Sequence, residues 1–338
     1  MGTVDARSFD YIIVGAGSAG CVLANRLSAD PSIKVLLLEA GGRDWHPYLH
    51  MPLAMLKMSR HKSVNWPFVT EPEPHCANRE IVIPRGKVLG GSSSINAMIY
   101  ARGHPLDYDA WRQMGLKGWS YEEVLPYFKR SENSWRGADD YHATSGPLTV
   151  SHGQKASLLH SLFAASAQKR GFSQTDDYNG AKPEGIAFPD FTIGGGRRNS
   201  TARAFLRPAM KRPNLTVATR ALAHRVLIEK GRAIGVVYQQ RGTLRTAYAE
   251  REIVLSGGTY NSPQLLLLSG IGPADELRSL GVTPVLDRPS VGRNLQDHVN
   301  AVITFDINKP LSLVGELRCF PMVFCPTRPL AGVGFTIV

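Results

Sequence analysis

Asp10-Tyr-Ile-Ile-Val-Gly-Ala-Gly-Ser-Ala-Gly20 decides the fold. An apolar run feeds directly into Gly15-x-Gly17-x-x-Gly20, a helix-like segment follows at 21–27, and a second apolar run at 34–38 ends on Glu39. Strand, glycine turn, helix, second strand and terminal acid together make the dinucleotide fingerprint in its required context. Gly15 permits the tight turn, Gly17 lets backbone approach a pyrophosphate, and Gly20 lets helix and strand pack closely. Free N–H groups at the start of the helix, near Ser18 and Ala19, and the helix dipole favour phosphate there. Glu39, nineteen positions after Gly20, can accept hydrogen bonds from ribose hydroxyls and disfavours a 2′-phosphate, which argues against NADP. The motif alone leaves FAD and NAD open.

The chain has 338 residues, which allows two domains. At 43% hydrophobic it can bury a sizeable core. No run of eighteen apolar residues exists, so no transmembrane helix is expected. The N-terminus lacks the apolar region of a signal peptide, which predicts a cytoplasmic protein. Met1-Gly2 lacks the Ser or Thr that myristoylation favours, since Ala6 stands there. The four cysteines, Cys21, Cys76, Cys319 and Cys325, suit neither a zinc site nor a disulfide framework, and no metal is expected. Cys21 reads as a small packed core residue.

Net charge is +11. Basic residues occur as scattered pairs such as Arg197-Arg198 and Lys211-Arg212, without interleaved aromatics, so they read as solvated surface charge and not as a nucleic-acid site. The charge leaves peripheral association with anionic lipid open.

Gly86-Lys-Val-Leu-Gly-Gly-Ser-Ser-Ser-Ile-Asn96 precedes an apolar segment at 97–100. Gly90 and Gly91 allow close approach, and Ser92 and Ser93 offer donors for phosphate or ring atoms. Composition alone leaves a plain Gly/Ser loop equally open. The acids at Asp107 and Glu122-Glu123 read as helix starts, because acids favour helix N-termini. Residues 106–114, 121–130 and 156–170 predict helices, 197–203 opens another, and 215–219, 221–229, 233–238 and 252–255 predict strands. Ser262-Pro263 reads as the first turn of a helix at 264–269.

Three separated motifs now agree. The chain resembles the glucose–methanol–choline oxidoreductases, nearest their bacterial choline and alcohol dehydrogenase branch. Gly86–Asn96 is similar to one signature of that family. Gly258-Thr-Tyr-Asn-Ser-Pro-Gln-Leu-Leu-Leu-Leu-Ser-Gly-Ile-Gly272 is similar to the other. Asn65-Trp66, Thr70-Glu-Pro-Glu-Pro74, Asp176-Asp-Tyr-Asn-Gly180 and Val291-Gly-Arg-Asn-Leu-Gln-Asp-His298 add to it. The resemblance spans about residues 8–317.

The resemblance implies an α/β fold: a Rossmann-like FAD-binding domain with a parallel sheet, at 8–105 and 215–300, plus an α+β substrate domain, at 106–214 and 301–317, both incomplete at the C-terminus. It implies FAD rather than NAD. Gly15, Gly17, Ser18, Ala19 and Gly20 would hold the pyrophosphate, and Glu39 and Ala40 the adenosine ribose. The backbone near Ala223 would meet the adenine. Trp66, Val88, Gly91, Ser92, Asn96, Ala97, Met98 and Ile99 would line the flavin ring and ribityl chain. Ile95 occupies the place where some relatives attach flavin through a histidine, so noncovalent FAD is expected.

The chemistry implied is oxidation of a primary alcohol, choline-like or other, by hydride transfer to flavin N5. The electron acceptor is left open. The family's catalytic histidine and its partner belong to a C-terminal segment that does not appear here, so no catalytic residue is assigned, and His104, His142, His152, His224 and His298 read as structural, surface or loop residues. Residues 318–338 depart from the family, with three prolines and no acid, and read as a frameshift or truncation. Impaired oxidation is therefore expected. A noncatalytic FAD-binding remnant and a relative with other chemistry, such as fatty-acid photodecarboxylation, are the alternatives, with NAD-dependent dehydrogenation behind them.

Overall fold

The computed structural model describes residues 7–153 and 158–297. The tail at 318–338, the portion at 301–317 and His298 lie outside them. The chain forms two compact units, 1–152 with 189–294, and 153–188 with 295–338.

In the first unit, β1 (Arg7–Val14), α1 (Ser18–Leu27) and β2 (Val35–Glu39) open the chain. A loop-rich stretch holding the one-turn α2 (Met55–Met58) follows. Next come α3 (Pro105–Gln113), α4 (Tyr121–Ser131), β3 (Glu132–Ser134) and β4 (Leu148–His152). In the second unit, α5 spans Leu158–Lys169, and Asp177 turns the backbone by accepting from Asn179 N–H at 3.0 Å. The first unit resumes with β5 (Asp190–Phe191) and a small hairpin of β6 (Ile193–Gly194) and β7 (Arg197–Arg198). A helical segment, Ala202–Leu206, runs into α6 (Arg207–Ala209). β8 (Leu215–Thr219), β9 (Ala221–Glu229), β10 (Arg232–Gln240), β11 (Thr243–Leu255) and α7 (Gly258–Leu268) follow.

Six strands form one sheet in the order β8-β2-β1-β11-β10-β9. The first four are mutually parallel, and β10 and β9 continue antiparallel. Every residue of β2 is buried, as a central parallel strand covered on both faces requires. The period of two divides the core. Ile12, Val14, Leu36 and Leu38 join Val236 and Leu265 on one face. Ile13, Val35 and Leu37 meet Cys21, Ala24, Leu89, Ala202 and Leu206 on the other. The α/β fold with a parallel sheet is therefore as expected.

Three local readings shift. Residues 197–198 lie on a strand, not at a helix start. Gly195 and Gly196, both at positive φ (57° and 69°), make the hairpin turn, and the helix begins at Ala202. α7 begins at Gly258, so Pro263 stands inside it and not in its first turn. β11 reaches back to Thr243 because it is flanked by β1 and β10 together.

Candidate functional site

The carboxyl ends of β1, β2 and β11 converge beside α1, where the chain leaves β1 toward one side of the sheet and β11 lies on the other. Ligands of open α/β sheets bind at such switch points. Gly15 turns at φ +100°, and its N–H donates to Leu38 O at 2.8 Å. A Cβ on Gly15 would lie 2.5 Å from Ser256 O, and one on Gly20 only 1.9 Å from Gly15 O. Gly17 differs: a Cβ there would meet nothing nearer than Ser256 O at 3.8 Å. Its open side lies at the start of α1, where no side chain caps the helix and Ser18 and Ala19 are exposed. Cys21 is buried, and burial pushes its thiol up to about 12, so it is the inert core residue expected.

The second glycine motif packs backbone-to-backbone on the first. Gly90 N–H donates to Ala16 O at 2.8 Å, and a Cβ on Gly91 would lie 2.7 Å from Gly17 Cα. Behind them, a Cβ on Gly41 would strike Lys87 O at 1.9 Å, and one on Gly86 would strike Gly91 C at 2.2 Å. Gly41, Gly86, Gly90 and Gly91 thus tolerate no side chain, and Gly91 packs on the open Gly17. A plain Gly/Ser loop does not require this. The two serines divide. Ser92 is exposed and accepts from Gly86 N–H at 3.2 Å. Ser93 donates to Gly90 O at 2.6 Å and touches Thr201 Oγ1 at 2.9 Å, so it fastens the loop and is not an outward donor.

Glu39 is buried at the end of β2. Its carboxylate accepts from Ala16 N–H at 2.9 Å and from Gly41 N–H at 2.8 Å. Burial pushes its pKa up to about 7 against these two hydrogen bonds and the Lys87 charge. Ala40 beside it is half-buried. Arg220 N–H donates to Gly41 O at 2.7 Å, which ties the start of β9 to this corner, and Ala223 packs on the Leu38–Ala221 cluster.

Past this junction, Asn96, Ala97 and Ile99 are exposed, while the side chains of Val88 and Met98 are buried. Trp66 is half-buried, stacks on Phe68 at 5.7 Å and lies under the Lys87 ammonium at 4.3 Å.

Sequence reasoning missed Arg198, read as surface charge and here 1% exposed. Its Nε donates to Leu49 O at 2.9 Å, and its Nη1 to Ser93 O at 3.2 Å, Asn96 O at 2.7 Å and Asn96 Oδ1 at 2.8 Å. Nη2 has no hydrogen-bond partner among the described residues. Desolvation lowers the guanidinium to about 10, which leaves it charged at neutral pH. The only signal was strand alternation, which turns one of two adjacent arginines inward. His142, read as a surface or loop residue, is also buried. It pairs with Glu132 at 3.1 Å, and Arg102 reaches the same carboxylate at 3.0 Å. His152 pairs with the buried Asp190 at 3.3 Å.

The FAD implied by the resemblance fits this cradle. Close-packed glycines with Gly17 open at the helix start, and a buried carboxylate at the end of β2, are what a pyrophosphate and a ribose require. Among the described residues no group of acids, histidines or cysteines could hold a metal ion, and no helix is long and apolar enough to cross a membrane.

Comparison with known proteins agrees. The chain is 48% identical over 311 residues to an oxygen-dependent choline dehydrogenase of Sinorhizobium fredii, a match covering 92% of this chain and 56% of that protein. A Rhizobium etli oxygen-dependent choline dehydrogenase is 46% identical with the same coverage. The chain thus spans little more than half the length of these relatives. Among solved structures, pyridoxine 4-oxidase from Mesorbium loti superposes with a TM-score of 0.83 at 36% identity, covering 86% of this chain and 57% of the other. A formate oxidase gives 0.79 at 29% identity, covering 88% and 53%. The GMC oxidoreductase family model matches residues 9–300, and the chain belongs to that family.

Proposed function

We propose that this chain binds FAD noncovalently and that the protein oxidises a primary alcohol, choline-like or other, to the aldehyde. The observation that carries the reading is the junction of Gly17 and Gly91 beside the buried Glu39. Bound FAD would supply the acceptor for the hydride leaving the alcohol carbon. The chain's own residues bind and orient. The start of α1 holds the pyrophosphate, Glu39 accepts from the ribose, and Asn96, Ala97 and Ile99 face the ring with Val88 and Met98 main chain beneath. Ile95 is buried, with no nucleophile in its place. Residues 8–105 and 215–300 provide the cofactor side, and 106–214 begin the substrate side.

A second reading, a noncatalytic FAD-binding chain, rests on His46 and His104, which cap helices, and on His142 and His152, which sit on buried carboxylates. Two steps separate the readings. Quenching of FAD fluorescence on titration with the purified protein supports cofactor binding, and its absence rejects both. Anaerobic bleaching of the bound flavin by choline or an aromatic alcohol then favours the enzyme, and persistence of the oxidised spectrum favours the binder.

A further inference from the structure

Arg198 is buried among backbone carbonyls with no carboxylate partner among the described residues. Removing a cation from water without a counter-ion is costly, so its surroundings show what the charge is used for. All its acceptors lie on two loops: Leu49, and the ring-side segment at Ser93 and Asn96. Its own main chain joins in, with Arg198 N–H on His50 O at 3.0 Å. The next residues extend the clamp. Asn199 N–H donates to Thr192 O at 2.8 Å, Thr192 N–H to Met98 O at 2.8 Å, and Thr201 N–H to Ser93 Oγ at 3.1 Å.

The Asn96 amide is the centre of this arrangement. Its Oδ1 accepts from Arg198 Nη1 at 2.8 Å and from Met98 N–H at 3.1 Å. Both are donors, so the amide has one orientation: Oδ1 inward, the NH2 group on the exposed side. Met98 sits at φ +63° with its side chain buried. A non-glycine residue holds that conformation only where its surroundings over-determine it.

We propose that Arg198 is a positioning residue of the cofactor cradle: it locks residues 93–98 and turns the Asn96 amide so that its NH2 faces a hydrogen-bond acceptor on the ligand. This rests on the FAD reading, in which that acceptor belongs to the flavin. The unpaired cation keeps the loop preformed before ligand arrives.

The test is amide hydrogen exchange on the cofactor-free protein, followed by FAD titration. R198M is expected to speed exchange at Ile95, Asn96 and Met98 by about tenfold or more while Ile12–Val14 in β1 stay protected. R198Q, uncharged and of similar reach, is the second variant should R198M lose protection in β1, with the same loop effect expected. N96D separates positioning from simple stability. Its carboxylate keeps both inward hydrogen bonds, so loop exchange stays as in wild type. It presents an acceptor where the NH2 stood, so FAD affinity drops about tenfold and the bound-flavin absorbance bands shift. Loop exchange within twofold of wild type in R198M and R198Q overturns the proposal, as does an N96D that binds FAD like wild type with an unchanged spectrum. A wild-type protein that does not quench FAD rejects the cofactor reading, and the exchange result still decides whether Arg198 holds the loop.

Discussion

At Gly17 an added methyl group would meet only Ser256 O, 3.8 Å away, with φ at an ordinary −78°. At Gly91 it would lie 2.7 Å from Gly17 Cα, with φ at +53°. One glycine is needed by the ligand and the other by the fold, and alanine separates them. G17A should cost no more than about 1 kcal/mol of cofactor-free stability, the difference between glycine and alanine at a helix N-cap. Its methyl occupies the phosphate approach, so FAD affinity should fall about tenfold or more. G91A should cost about 2–4 kcal/mol through backbone clash and left-handed strain. Urea unfolding and FAD titration of both variants check this, and equal stability losses would refute the division. Glu39 adds a pH dependence. Its folded pKa of about 7 stands above its ordinary 4.5, so the folded state holds this proton more tightly. The group's contribution is fully present below about pH 4.5 and lost as pH rises to about 7, amounting to about 3 kcal/mol. Subtracting the pH 5-to-8 stability change of E39Q from that of wild type, both cofactor-free, should expose this loss, and parallel curves would sink it. Ribose hydroxyls donate to the charged carboxylate, so FAD affinity should climb with pH and level off near pH 7.

Between elements, single side chains replace missing ladder partners. Ser269, just past α7, accepts from Val226 N–H of β9 at 2.8 Å and donates to Leu265 O at 2.6 Å. Both residues are buried. S269A strands the Val226 N–H and should cost about 1–3 kcal/mol in urea unfolding, with little change in FAD binding. A neutral substitution would mean that β9 finds another acceptor. Contacts of this kind also mark what could be read from the chain. β1, α1 and β2 were legible because strand, glycines and helix are consecutive and the signal is local. The acids near 107 and 123 were legible as helix starts for the same reason: His104 with Asp107 and Ser120 with Glu123 form capping boxes within one turn. The Gly86–Asn96 loop was ambiguous until Gly91 met Gly17, because the need for a missing Cβ on Gly91 is visible only where the loops touch. Arg198 and Asn96 are 102 positions apart, and Arg102 reaches Glu132 across 30, so no window along the chain could show them as buried.

Over the whole molecule, the cofactor cradle and the means of using it are distinct requirements. A base must come within hydrogen-bond reach of the alcohol hydroxyl, directly or through one water. Six of the described histidines are engaged elsewhere, and His75 and His224 are exposed. His46 and His104 cap short helices, accepting from Tyr48 and Leu106 N–H. His50 is bonded to Asp44 O at 2.8 Å and His61 to Ser63 at 2.8 Å. His142 is buried on Glu132, and His152 sits on Asp190. Releasing His46 or His104 would cost a cap, and releasing His142 or His152 would leave a buried carboxylate with one partner fewer. Glu39 is near its midpoint at neutral pH, but two backbone N–H groups hold it at the ribose end. Among the described residues, therefore, the cradle accounts for taking up FAD, while the base that the proposed oxidation needs is not assigned. Anaerobic mixing with choline or an aromatic alcohol should bleach the bound flavin if the proposed oxidation runs in this chain, and bands that stay until dithionite removes them support the noncatalytic reading. The order of the two additions matters. Bleaching by an alcohol before dithionite, at rates near the roughly 10 per second common among enzymes, would show a working base in the chain and support the proposed oxidation.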